Sequence, residues 1–350
     1  MIDARDFLMK VGKLKGIMND RARGGQPLEN DYAQARDAVV TTELRDALPH
    51  FVLTCTTLQE WWQFIKHKFP SYKERTEFLQ TEFAPLIASL ERGIVPAYVP
   101  VQPAAPRPDL VLVTVNDYET RAVVDAFQEA TGVEAKPITL QGRLYHDLGE
   151  INGTTVYHAI SEMGSTGSGG MQQTVEKAIS ALEPAAVVAV GIAFGVNAEK
   201  QKIGEIIVSK LLRLYELQRV GKKQIVMRGA RPDASPRLMS HFRGFSQVRW
   251  RGAKVRFGVL LTGEKLVDNV DYRAQLVKFE TEAEGGEMEG AGLYVSSYDN
   301  KVDWIVIKAI CDWADGKKDE DKDERQQLAA KNAAEFVVRS LAYAPLKRQN

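Results

Sequence analysis

From residue 109 onward, short runs of branched apolar residues alternate with longer amphipathic stretches, and this alternation constrains the fold more than any other feature. Leu110-Val111-Leu112-Val113-Thr114-Val115 has the length and composition of a buried strand, and residues 118–130 read as the helix after it. Strand-like runs recur at 155–160, 186–190, 206–209, 255–261 and 304–310, with helices expected over 171–182 and 329–343. Strands apolar on both faces, separated by helices, call for a mainly parallel or mixed sheet covered on both sides. In such sheets ligands bind where strands end, and here acidic or glycine-rich turns repeatedly follow strands.

The first 95 residues are patterned differently. Phe7, Leu8, Val11, Leu14 and Ile17 share one helix face, Gly24-Gly25-Gln26-Pro27 interrupts, and residues 31–48 resume helical spacing until Pro49. Thr57-Leu58-Gln59-Glu60 has the form of a capping box before Trp61-Trp62-Gln63-Phe64-Ile65. Residues 72–90 are a further amphipathic run, with Pro85 expected to kink or restart it. The aromatics read as core, and neither a metal-ligand cluster nor a catalytic pair is visible. Five prolines between 96 and 108 suit an extended linker. The expected organisation is a helical interaction or sensing domain (1–95), a Pro-rich linker (96–108) and an α/β catalytic domain (109–350).

Composition excludes little beyond this. With 46 basic and 46 acidic residues the net charge is zero, so nothing in the whole-chain balance points to nucleic acid or a membrane surface. Two distant cysteines, Cys55 and Cys311, suit a reducing, cytoplasmic setting better than a disulfide framework. No run approaches a membrane span, and no signal peptide is seen.

The residues able to carry chemistry follow strands. Asn116-Asp117-Tyr118-Glu119 ends the first, where Glu119 either polarises a water or is simply a helix-start acid. Residues 161–170, Ser161-Glu162-Met163-Gly164-Ser165-Thr166-Gly167-Ser168-Gly169-Gly170, form a small-residue loop before a helix, a flexible turn or an anion cradle. It is neither a Walker loop nor a dinucleotide fingerprint. Gly191-Ile192-Ala193-Phe194-Gly195 is a tight turn or a backbone surface for a ligand, and Thr262-Gly263-Glu264-Lys265 is equally ambiguous. Gly285-Gly286-Glu287-Met288-Glu289-Gly290-Ala291-Gly292 sets two carboxylates around a thioether at a turn-to-helix junction. Cys311-Asp312-Trp313-Ala314-Asp315 supplies a second acidic element.

In this order the elements resemble the nucleoside phosphorylase superfamily, most closely its methylthioadenosine/S-adenosylhomocysteine nucleosidase branch, over about residues 109–345. The resemblance implies a mixed central sheet flanked by helices, with an all-α domain ahead of it. It further implies a purine nucleoside or nucleotide as substrate, no cofactor or metal, and a homo-oligomer, dimer or hexamer. Carried over, Asp312 would protonate the purine at N7, and Glu119 would position and activate the attacking water. Glu289 would hold the ribose hydroxyls and Met288 pack on the sugar, with Glu287 beside them. Ser165, Gly191, Ile192 and Phe194 would lie along the ligand, and Leu266 and Val267 stand where the family commonly stacks an aromatic on the base. Phosphorolytic relatives carry Gly-Asp-Pro-x-Arg after the first strand and an arginine where this chain has Ala189. A phosphate dianion would lose those partners, so hydrolysis is expected.

For the 5′ side, Lys265, Arg273 and the basic residues between Lys210 and Arg237 are either a cationic rim for phosphates or a solvated surface. The helical segment loosely resembles small domains fused to bacterial antiviral effectors, some of which cleave ATP-type nucleotides. The leading expectation is therefore conversion of ATP or dATP to adenine and ribose 5′-triphosphate, with an activator acting through residues 1–95. Methylthioadenosine/S-adenosylhomocysteine hydrolysis, purine phosphorolysis and a non-catalytic nucleotide sensor are the alternatives. The run 316–325 is expected to be a solvated loop or a lid.

Overall fold

The structure, a computed structural model, describes residues 3–42, 44–93, 106–222, 225–317 and 321–348, so most of the expected linker lies outside the described residues. The chain divides into two compact units, Met1–Ala104 and Ala105–Asn350.

The first unit is built from α1 (Ala4–Ala22), α2 (Glu29–Val40), α3 (His50–Thr54), α4 (Leu58–Lys68) and α5 (Tyr72–Glu91). Phe7, Val11, Leu14 and Met18 of α1 are buried in one core with Trp61 and Phe83, and the Trp61 indole donates to the Met18 carbonyl at 3.1 Å. The helix expected over 31–48 stops at Val40. The β-branched run from Val39 to Thr42 is a poor helix interior, and the Thr41 and Thr42 hydroxyls bond back to the Asp37 and Val39 carbonyls. A short 3-10 turn, Arg45–Ala47, follows instead. Both halves of the capping box between Thr57 and Glu60 are formed. Helix α5 runs through Pro85 without a restart, the ring lying on its exposed side.

The second unit contains β1 (Leu110–Thr114), α6 (Asp117–Thr131), β2 (Lys136–Leu140), β3 (Arg143–Ile151), β4 (Thr154–Ile160), α7 (Met171–Leu182), β5 (Ala186–Gly195) and β6 (Ile206–Leu214). A small ribbon, β7 (Gln218–Val220) with β8 (Ile225–Met227), comes next, followed by α8 (Pro236–Val248), β9 (Val255–Thr262) and α9 (Val270–Phe279). The unit ends with β10 (Ala283–Glu287), α10 (Gly290–Asp299), β11 (Asp303–Asp312) and α11 (Lys322–Tyr343). Among the described residues, nine strands form one mixed sheet in the order β10-β9-β6-β11-β5-β1-β4-β3-β2. The apolar strands β1, β5 and β11 lie parallel at its centre, because they are the runs with no polar face to give to water. No helix among the described residues is long and apolar enough to cross a membrane.

Two features of the sheet place the site. Residues 191–195 are not a turn: β5 continues through them, pairing with β11 as far as Phe194. At that end β5 also pairs antiparallel with β10, Gly195 opposite Gly285 and Phe194 opposite Gly286. A β-carbon on Gly286 would sit 2.2 Å from the Phe194 ring, so the close crossing depends on glycine there.

One buried histidine couples the sheet to pH. His158 on β4 faces His146 on β3, and its Nε2 lies 2.8 Å from the Thr114 hydroxyl. Burial, reinforced by His146, depresses its pKa from 6.5 to about 3. The unfolded chain therefore binds the extra proton in that window. The contribution is intact above pH 6.5 and is lost as pH falls towards 3, on the order of 5 kcal/mol in all. Unfolding free energies of the wild type and His158→Gln should accordingly converge between pH 7 and pH 4; parallel pH profiles would refute this.

Candidate active site

At the ends of β1, β5, β10 and β11 lies a cleft of about 620 Å³, counting the solvent-open space at its mouth. Glu119 enters from the first turn of α6, where it closes a capping box with Asn116. Its Oε2 accepts from the Val115 amide at 2.7 Å and its Oε1 from the Ile192 amide at 2.8 Å. The carboxylate is 2% exposed. Gly191 makes this approach feasible: a β-carbon there would lie 1.8 Å from Glu119 Oε1. Gly191→Ala is therefore expected to displace Glu119 and cost about 1–3 kcal/mol of stability in denaturant titration. Wild-type stability in that variant would contradict the packing argument.

Behind Glu119 lies a residue that sequence reasoning passed over. Lys308, 1% exposed, projects from the middle of β11, its ammonium 3.3 Å from Glu119 Oε1 and 3.2 Å from Glu289 Oε2. Burial lowers its pKa, but Glu119, Glu289 and Glu287 together prevail and raise it, so the group is a fixed cation between two acids. The signal was available. A single lysine inside Trp304-Ile305-Val306-Ile307-Lys308-Ala309-Ile310 cannot reach water, and a buried cation needs partners.

Strand β10 ends on Glu287, and Met288 and Glu289 make the junction to α10, whose N-cap residue is Glu289. The Glu287 carboxylate accepts from the amides of Glu289, at 2.9 Å, and Gly290, so it caps the start of α10. Burial, with Glu289 adding to it against the pull of Lys308, raises its pKa to about 7. Glu289 accepts from the Gly164 amide at 3.2 Å, which ties the small-residue loop to the acid. Ser165 reinforces that tie. Its hydroxyl donates to the Met288 carbonyl at 2.9 Å and accepts from the Gly292 amide at 3.0 Å.

Asp312 closes the cleft at the end of β11, where the register with β5 shifts between Ile310 and Asp312. The carboxylate accepts from the Ala314 amide at 2.8 Å and from the Cys311 thiol at 3.2 Å. Ile192, Phe194, Lys265, Leu266 and Val267 also line the cleft, together with Asn116, Met163 and Gln326. Ser165, Gly191 and Arg273 are not in the lining.

Among the described residues, Lys265 is the one basic residue of the expected rim in the cleft lining. Lys265 reaches the cleft but its ammonium is engaged by Glu216, and the Arg273 guanidinium donates to the Trp313 carbonyl. Arg213 and Arg231 hold Glu280, and Arg237 holds Asp303; none of the three lines the cleft. Lys223 lies outside the described residues, as do 318–320 of the run 316–325. Among the described residues no group of three or more His, Cys, Asp or Glu is placed to hold a metal ion. Chemically, four carboxylates around one cleft suit a reaction that builds positive charge on its substrate.

Comparison with known proteins bears on the second unit. The family model described as Phosphorylase superfamily matches residues 109–342. A "Death domain-containing ATP nucleosidase" of Amphimedon queenslandica is 32% identical over 201 residues, which cover 51% of this chain. The chain spans only 37% of that relative's length. A 5′-methylthioadenosine/S-adenosylhomocysteine nucleosidase of Haemophilus influenzae (strain 86-028NP) is 26% identical over 160 residues, 45% of this chain and 68% of that protein. Among solved structures, the nucleosidase of the same name from Neisseria meningitidis, in complex with methylthio-immucillin-A, superposes with a TM-score of 0.57 at 20% identity. The match covers 67% of this chain and all of that one, and establishes likeness of fold.

Proposed function

The chain belongs to the phosphorylase superfamily, and from that premise we propose that it hydrolyses the N-glycosidic bond of adenine nucleotides, ATP or dATP, giving adenine and a ribose 5′-triphosphate. The observation that carries this reading is the linkage of Glu119 and Glu289 through one buried ammonium, with Asp312 lining the same cleft. Glu289 and Met288 hold the sugar, and Asp312 addresses the purine. As water attacks C1′, Glu119 accepts its proton, and the bond from C1′ to the base nitrogen breaks with its electrons passing to the base. Asp312 gives a proton to N7, so adenine leaves neutral. The carboxylates stabilise the oxocarbenium-like charge between these events. Lys308 fixes the orientation of Glu119 and Glu289.

Water rather than phosphate is the nucleophile in this reading. Arg121 lines a groove between α6 and α11 instead of the cleft, and Ala189 is buried within β5, so neither supplies a phosphate partner. The nucleotide preference rests on the 32% identical ATP nucleosidase. Exposed apolar Met163 and Leu266 in the lining favour a second reading, hydrolysis of methylthioadenosine, whose 5′ group is apolar. The assay is to incubate the purified protein with ATP, AMP, adenosine and methylthioadenosine, with and without phosphate, and follow free adenine. Adenine from ATP without phosphate is the expected result. Adenine from methylthioadenosine alone would replace it with the second reading, and binding without release would mark either a sensor or an enzyme awaiting its activator.

The helical unit is assigned the control of this activity, as in a defence effector that depletes nucleotides once triggered. Assembly into a homo-oligomer belongs to the same proposal.

A further inference from the structure

We propose that Gln326, working with Asn116, is the specificity-determining contact for the substrate's 5′ substituent, and that it selects polar, phosphate-bearing groups; this rests on the nucleosidase reading above. Most polar side chains lining the cleft are already occupied. Glu119, Glu287 and Glu289 are held by backbone amides or Lys308, Lys265 is engaged by Glu216, and Asp312 by Ala314 and Cys311. Asn116 gives its side-chain oxygen to the Glu119 amide and keeps its N–H donors. Gln326, half-buried in the second turn of α11, lines the cleft with both donor and acceptor unengaged among the described residues.

The position of these two amides identifies the part of the substrate they meet. The Tyr118 hydroxyl donates to Asp323 at 2.8 Å, so the first turns of α6 and α11 lie side by side. Gln326 is one turn beyond Asp323 and, like Asn116, lines the cleft. Leu266 and Val267 line it from the β9–α9 connection, and Asp312 stands at the purine. With the base placed there and the ribose on Met288 and Glu289, the 5′ carbon is left to the rest of the lining, where Asn116 and Gln326 stand with Met163 and the engaged Lys265. Amide N–H groups donate well to phosphate oxygens, whereas a methylthio group would leave them desolvated and unpaired.

The test compares kcat/KM for ATP and for adenosine in the wild type, Gln326→Ala and Gln326→Glu, with thermal melting as the folding control. The ATP-to-adenosine ratio is expected to fall about tenfold in Gln326→Ala, the loss of one hydrogen bond to a charged group. Gln326→Glu, which sets a carboxylate against the phosphates, should lower it further. If the wild type releases adenine but both variants keep the wild-type ratio, the inference is wrong while the nucleosidase reading stands. If the wild type releases adenine from neither compound, the reading itself fails and the inference with it.

Discussion

Replacing Lys308 with methionine is expected to abolish adenine release and to destabilise the second unit by about 3–5 kcal/mol, because it leaves Glu119 and Glu289 buried without their shared cation. Methionine fills much the same volume, so the effect isolates charge from packing. Urea unfolding measures the stability and the adenine assay the activity. A double variant adding Glu119→Gln removes one of the stranded charges. It should recover part of the lost stability without recovering turnover, a coupling that a double-mutant cycle reads directly. If Lys308→Met alone unfolds at the wild-type midpoint, the ammonium does not hold the two acids as described.

Asp312→Asn separates chemistry from fold. The side chain stays isosteric, and its carbonyl oxygen can still accept from the Ala314 amide, so the melting temperature should move by no more than a few degrees. Turnover is expected to fall about 10²–10⁴-fold, the usual contribution of a positioned proton donor. The loss should appear in kcat more than in KM, since the proton is needed as the bond breaks. Normal turnover in this variant would remove Asp312 from the reaction.

The sheet was legible in the sequence where strands are apolar on both faces. The runs beginning at Leu110, Ala186 and Trp304 became the parallel centre. Strands β2 and β3 were not legible, because their exposed positions break the apolar run. Residues 191–195 looked like a turn because their glycines suggest one. In the fold those glycines admit neighbours, Glu119 at Gly191 and Trp313 at Gly195, to a strand that continues. The acids of the site stood out at strand ends. Lys308 did not, because its partners lie 189 and 19 residues away. The basic residues between Lys210 and Arg237 suggested a rim since charge is visible in sequence and its pairing is not. Glu280 and Asp303, which hold three of them, come from distant elements.

The place of β11 in the sheet has a consequence for the newborn protein. It is the last strand in chain order, yet it sits between β6 and β5 near the middle of the sheet and carries both Lys308 and Asp312. A chain growing on the ribosome would hold Glu119 early but have no ammonium to pair with it until the central gap is filled. Domains fold as units during synthesis, and this one cannot complete its cleft until nearly all of it has emerged. A product that stops before β11 would therefore lack both Lys308 and Asp312, and with them a complete cleft.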